Sequence, residues 1–137
     1  MLVGFTGTKD GMTESQREAL TRTLVSLSAT ELHHGDCIGA DAEASSIAKD
    51  LNLKIVIHPP TNPSKRSFCC ADIILPPKPY LERNREIVKA TDVLIAAPRQ
   101  RHEVLRSGTW ATVRHARKLN RRIIILSLST DKKQVQQ

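Results

Sequence analysis

A chain of 137 residues, 39% of them hydrophobic, falls in the size range of one compact domain and can bury most of its apolar surface. Its 21 Lys and Arg against 14 Asp and Glu leave a net charge of +7, which favours phosphorylated or polyanionic partners. Aromatic residues make up only 3% of the chain, namely Phe5, Phe68, Tyr80 and Trp110, too few for the stacking rows on which single-strand binders lay successive bases. A small ligand is therefore favoured over nucleic acid.

The three cysteines, Cys37, Cys69 and Cys70, form an odd set without CxxC spacing, which points away from a disulfide framework or a zinc knuckle and fits a reducing cytoplasm. The chain enters a strand-like LVGF directly, without a basic and then apolar leader. No apolar run approaches the roughly 20 residues that span a bilayer. The expectation is a soluble cytoplasmic protein with no membrane partner.

In chain order, Leu2 to Thr6 reads as a buried strand, and Thr13 with Gln16 forms the capping box that starts a helix with Leu20, Leu24 and Leu27 on its core face. A second strand near Glu31 to His34 runs into GDCIGADAEA, after which Ala40, Ala44, Ile47, Ala48 and Leu51 fall on one helical stripe that ends near Asn52. Leu53 to His58 is a continuous apolar run suited to a strand covered on both faces.

Pro59 to Pro79 holds six of the seven prolines and reads as an ordered loop with at most a brief strand at Asp72 to Leu75, a candidate for a functional excursion. A helix over about 79–90, a strand over 92–97, the basic loop RQRHEVLR, a helix over 107–119 and the final strand IIILSL follow. Residues 129–137 read as a flexible tail. The alternation predicts a single Rossmann-like three-layer α/β domain over 1–128, with a mainly parallel sheet of five main strands in order 3-2-1-4-5. Ligands of such sheets bind beyond the carboxyl ends of the strands, where the order reverses.

Three turns and one helix converge there. Gly7, Thr8, Lys9 and Asp10 can form an anion site from backbone amides and a helix N-terminus, with Lys9 adding charge, although neither GxGxxG nor P-loop spacing is present. Gly35, Asp36, Gly39, Ala40 and Asp41 allow close backbone approach and offer carboxylates to a ribose or base, or simply a helix cap. Adjacent His33 and His34 point to opposite faces of a strand, so no metal site is expected, and no cofactor. Of Arg83, Asn84 and Arg85, the two arginines are too close to share one direction, so one can face the crevice. Ser107, Gly108 and Thr109 open the last helix with small phosphate-binding donors, and Trp110 either stacks on a base or packs with Val113. The loop from Arg99 to Arg106 is placed as a lid.

Taken together, GFTGTKDG, HHGDCIGADAEASSIAKD, YLERNREIVKATDVLIAAP and SGTWATVRHARKLN resemble the SLOG superfamily, named for its Smf/DprA and LOG families. Gly35, Gly39 and Asp41, then Arg83, Asn84 and Arg85, then Ser107 and Gly108, match the DprA-like order, and the Gly-Ala-Asp element is similar to that of small stand-alone YspA/YpsA-like members. The resemblance implies a Rossmann-like fold and a site for a nucleotide, a nucleotide-derived signal or a nucleic-acid end. LOG enzymes cleave the bond between base and ribose phosphate with an arginine and a Pro-Gly-Gly-x-Gly-Thr-x-x-Glu turn. Here Arg83 matches the arginine, but Thr112 occupies the glutamate position and the Pro-Gly-Gly is missing.

Three functions follow as expectations. The first is a homodimeric or larger binding protein that senses or sequesters a nucleotide-type small molecule. The second is a LOG-like N-glycosidase, in which Arg83 and Glu86 would be catalytic. The third is a DprA-like binder of single-stranded DNA, using Arg99, Arg101, Arg106, Arg114, Arg117, Lys118, Arg121 and Arg122.

Overall fold

A computed structural model describes residues 1–128; the tail expected over 129–137 lies outside the described residues. The elements are β1 (Leu2–Gly7), α1 (Glu14–Ser26), β2 (Glu31–His34), α2 (Ala40–Asp50), β3 (Lys54–Ile57), β4 (Ile73–Ile74), α3 (Tyr80–Ala90), β5 (Val93–Ala97), α4 (Gly108–Lys118) and β6 (Arg122–Ile125). All strand pairs are parallel, in the order β4-β3-β2-β1-β5-β6.

The five long strands keep the expected order. The sheet differs by a sixth, Ile73–Ile74, paired outside β3. Three apolar residues, Ile73 to Leu75, between Asp72 and the Pro76–Pro77 pair are just enough for a short edge strand, where proline is tolerated as a terminator. The last strand is also shorter than IIILSL, because its partner β5 ends at Ala97 and Pro98 has no amide to continue the ladder.

Alternation along β5 explains the three layers. Val93, Ile95 and Ala97 enter one core with Val3, Phe5, Leu32, Ile55 and Ile57, covered by Leu20 and Leu24 of α1 and Ala40, Ala44 and Ala48 of α2. Leu94 and Ala96 enter the other with Val88 of α3 and Trp110, Val113 and Ala116 of α4. With both faces covered, an uninterrupted apolar strand is the stable solution.

The capping box forms as expected: the Thr13 hydroxyl accepts from the Gln16 amide and the Gln16 side chain accepts from the Thr13 amide. Gln16 does more than cap. Its buried Nε2 donates to Pro98 O at 2.9 Å and Leu126 O at 3.4 Å, satisfying carbonyls just past the ends of β5 and β6. The start of α1 is thereby fixed to the carboxyl edge of the sheet.

Candidate ligand-binding site

The order reverses between β1 and β5, and above that point the chain gathers the turn after β1, the turn after β2, α3 and the start of α4. Arg83 is the centre of the gathering. On the first turns of α3 it is only 3% exposed, and its Nη1 donates to the backbone carbonyls of Gly35 (2.6 Å) and His58 (3.2 Å), at the carboxyl ends of β2 and β3. Nε donates to Asn84 Oδ1 at 2.8 Å and Nη2 to Cys37 Sγ at 3.5 Å, while the guanidinium carbon lies 4.7 Å from the centre of the Tyr80 ring. Gly35 is required by this packing, since a β-carbon there would lie 2.2 Å from Nη1. Arg85 is exposed and belongs instead to a groove between α3 and α4 with Arg114, His115 and Lys118. Of the two arginines, Arg83 is the one turned to the crevice, and most of its donors are spent on the protein.

The two aspartates of the Gly35–Asp41 turn have different tasks. Asp36 is fully buried at a positive φ of 55°, with Oδ2 accepting from Arg66 Nε (2.8 Å), Oδ1 from the Cys69 amide (2.9 Å), and its carbonyl from the Ser67 amide (2.8 Å). It therefore pins the proline-rich loop against the sheet instead of offering a free carboxylate. Its own amide donates to His34 Nδ1, and burial holds that histidine down to a pKa of about 4, neutral at physiological pH.

Asp41, in the first turn of α2, is 6% exposed. Oδ2 accepts from the Cys37 amide at 3.1 Å, whereas Oδ1 has no partner within hydrogen-bond geometry. Burial raises its pKa to about 6, against the pull of Arg83, of the bonded Cys37 amide and of the nearby Gly35 amide, which lies outside hydrogen-bond geometry. Burial and the Asp41 charge also push the Cys37 thiol up, against Arg83, so Cys37 is a poor nucleophile.

Two cavities share this ground. One, of about 20 Å³, is walled by Phe5, Thr6, Gly7, Gly35, Cys37, Asp41, Tyr80, Arg83, Asn84, Ile87, Gly108 and Thr109, and so collects seven of the sixteen binding residues expected from the sequence. The other is a cleft of about 650 Å³ bounded by Lys9, Asp10, Cys37, Ile38, Pro60, Thr61, Asn62, Ser64, Lys65 and Tyr80. Cys37 and Tyr80 are common to both. The cleft draws one wall from the proline-rich loop, whose lining residues carry no motif; clustered prolines were its one signal in the sequence.

The remaining expected residues have structural tasks. Thr8 O accepts from the Ala40 amide at 2.9 Å, which ties the first and second turns together, and Gly39 holds φ at +100° with no room for a β-carbon beside Lys9 O. Asp10 pairs with Arg99 at 2.7 Å, and Glu103 pairs with Arg114 and Arg117, so the loop placed as a lid is anchored at both ends. Ser107 caps α4 by accepting from the Trp110 amide. Trp110 is 4% exposed and packs in the α3–α4 core beside Val113, not at the mouth. Thr112 donates to Gly108 O at 3.0 Å within α4.

Behind α3 runs a chain absent from the sequence-based expectations. Glu31 Oε1 meets His33 Nε2 (3.0 Å), His33 Nδ1 meets His58 Nε2 (2.9 Å), His58 Nδ1 meets Glu86 Oε1 (3.0 Å), and Glu86 Oε2 meets Lys78 Nζ at 2.5 Å. The two imidazoles thus bridge the carboxylates of Glu31 and Glu86. Burial lowers the His58 pKa while Glu86 opposes it; burial also works against ionisation of Glu86, but bonds from Lys78 and His58 prevail and lower its pKa. Glu86, considered for catalysis from the sequence, is thus committed to docking α3. Among the described residues no group of three or more His, Cys, Asp or Glu is arranged to hold a metal.

Two outcomes test this geometry. Gly35→Ala pushes the Arg83 guanidinium off its two carbonyls and leaves a buried charge unpaired, which should cost about 3–5 kcal/mol in urea unfolding; a loss below about 1 kcal/mol would contradict the packing. For Asp41, a carboxyl whose folded pKa lies above its unfolded value of 3.8 contributes stability that is present below about pH 4 and lost as pH rises through about 6. The stability of the wild type relative to Asp41→Asn should therefore rise by roughly 3 kcal/mol on acidification through that window, and a pH-independent difference would contradict it.

No family model matches the sequence, and no curated protein is significantly similar to it. Solved structures are similar in fold. The molybdenum cofactor binding protein of Rippkaea orientalis superposes with a TM-score of 0.72 at 21% identity, over 98% of this chain and 80% of that one. The molybdenum cofactor carrier protein of Chlamydomonas reinhardtii gives 0.70 at 21%, over 98% and 81%. DNA processing protein A of Streptococcus pneumoniae gives 0.69 at 17%, over 94% of this chain, which spans about half (51%) of that one. The chain shares with them a Rossmann-like three-layer fold.

Proposed function

We propose that the protein binds and holds, without turning over, a small phosphate-bearing molecule, a nucleotide or nucleotide-derived metabolite, at the carboxyl edge of its sheet. The observation that carries this reading is the charge of the 650 Å³ cleft: Lys9 and Lys65 line it, and its single carboxylate, Asp10, is already paired with Arg99. The size suits a small-molecule site, and a cationic wall at the strand ends suits phosphate. Two of the fold neighbours are named for binding or carrying the molybdenum cofactor, so holding a small molecule is a use to which this fold is put. Within the fold class, the Gly39-Ala40-Asp41 element supports kinship with the small stand-alone YspA/YpsA-like members.

The other readings have less support. Thr112 stands where a LOG-type glutamate would act, and Glu86 is engaged with His58 and Lys78. Of the eight cations considered for DNA, Arg99 pairs with Asp10, and Arg114 and Arg117 share Glu103, which offsets two of those positive charges. We further place the protein in the reducing cytoplasm, away from the membrane. The unbridged Cys37, Cys69 and Cys70 support this, and no helix among the described residues is long and apolar enough to cross a bilayer. Exposed Ile73 and Ile74 on the open edge strand support self-association.

Calorimetric titration with purine and pyrimidine nucleoside monophosphates tests the proposal. Wild type is expected to bind at least one of them, and the Lys9→Ala/Lys65→Ala double variant to bind it about tenfold or more weakly, with an unchanged melting temperature. Equal binding by both proteins would overturn the assignment of the cleft. Sustained release of free base would replace the binding reading with the glycosidase. Tight binding of single-stranded DNA alone, lost steeply with salt, would replace it with the nucleic-acid reading.

A further inference from the structure

The large cleft and the small cavity behind it have opposite polarity. In the cleft the free charges are the ammonium groups of Lys9 and Lys65. In the cavity the unengaged group is Asp41 Oδ1, a carboxylate oxygen in a residue 6% exposed, with its twin oxygen already bound to the Cys37 amide. A carboxylate accepts hydrogen bonds and donates none, and a buried one left without a donor is destabilising. Phosphate placed against it would be repelled. The other charged groups near it are engaged: Asp36 with Arg66 and Cys69, and Arg83 with Gly35, His58, Asn84 and Cys37.

At about 20 Å³ the cavity has room for one group the size of a water molecule. Cys37 and Tyr80 line both it and the cleft. Tyr80 is half exposed and lies over the Arg83 guanidinium. A ligand in the cleft against Lys9 and Lys65 would reach Asp41 past these two side chains.

We propose that the ligand is bipolar and binds in one orientation, its phosphate against Lys9 and Lys65 and a single N–H or O–H donor, an exocyclic amine or a sugar hydroxyl, inserted against Asp41 Oδ1. This rests on the binding function proposed above and adds the polarity and direction of the ligand. Asp41 is then the specificity residue: it selects for a donor at one position and rejects analogues with hydrogen or a carbonyl there. A site built to bond a donor leaves its own buried group unpaired when the donor is absent, which is why such discrimination is steep.

Matched nucleotides that differ by one donor test this, by calorimetric titration of the full chain. Guanosine and inosine monophosphates differ by the 2-amino group, adenosine and inosine monophosphates by the 6-amino group, and guanosine and 2′-deoxyguanosine monophosphates by the 2′-hydroxyl. In one pair the member lacking the donor should bind wild type about tenfold or more weakly, and Asp41→Asn should bring the two within about twofold of each other. If Asp41→Asn does not fold, carboxylate carbon shifts of wild type give a second reading: the Asp41 titration should move to lower pH on binding the donor-bearing member and not its counterpart. Wild type that binds every pair within about twofold, or discrimination that survives Asp41→Asn, overturns the inference, leaves the binding function standing and reduces the cavity to a water site. Failure of all these nucleotides to bind overturns both.

Discussion

The whole site depends on one buried guanidinium. Arg83 bonds two main-chain carbonyls, Gly35 O after β2 and His58 O after β3, and so fastens α3 across the carboxyl ends of neighbouring strands. A charge this deep is tolerated only with its donors satisfied and a counter-charge near, and Asp41 is that charge. Gly35 lacks a side chain because the guanidinium takes the space. The imidazole chain from Glu31 to Lys78 secures the same helix one turn further on, through Glu86. The crevice floor is accordingly rigid, and Tyr80, laid over Arg83, inherits its position from it.

This arrangement divides the charges of the site. Arg83 balances the interior and builds the floor, which leaves attraction of an anion to the exposed lysines of the cleft. Asp36 holds the proline-rich loop, which leaves Asp41 as the carboxylate with an unspent oxygen. Native structures seldom keep an unpaired buried polar group without a use for it, and the stability that Asp41 costs at neutral pH is of the kind that binding sites retain. At the α4 turn Thr112 is bonded back to Gly108 within the helix.

Much of this was legible in the sequence, for identifiable reasons. The continuous apolar run at β3 reads as a strand covered on two faces, the apolar stretches at β1 and β5 read as strands, and Thr13 with Gln16 marks the start of α1 by local hydrogen bonding alone. That one of Arg83 and Arg85 faces inward follows from helix geometry; which one does not. The spacing of residues could not separate Asp36 from Asp41, since their difference is set by Arg66 and Cys69, some 30 positions away in the chain. For the same reason the cleft wall at Pro60–Lys65 and the meeting of His33 with His58 were invisible: both are made by long-range packing. Trp110 sits in the core because the α3–α4 face needed an aromatic volume there, a demand that becomes visible only once the helices are placed.

Native mass spectrometry of the protein purified without added ligand examines the central claim, a receptor for a phosphorylated small molecule, most directly. The expected result is a co-purified mass that fragments to a phosphate-containing molecule and is depleted in the Lys9→Ala/Lys65→Ala variant. A folded protein that carries no such mass, and acquires none when nucleotides are added in excess, would contradict it.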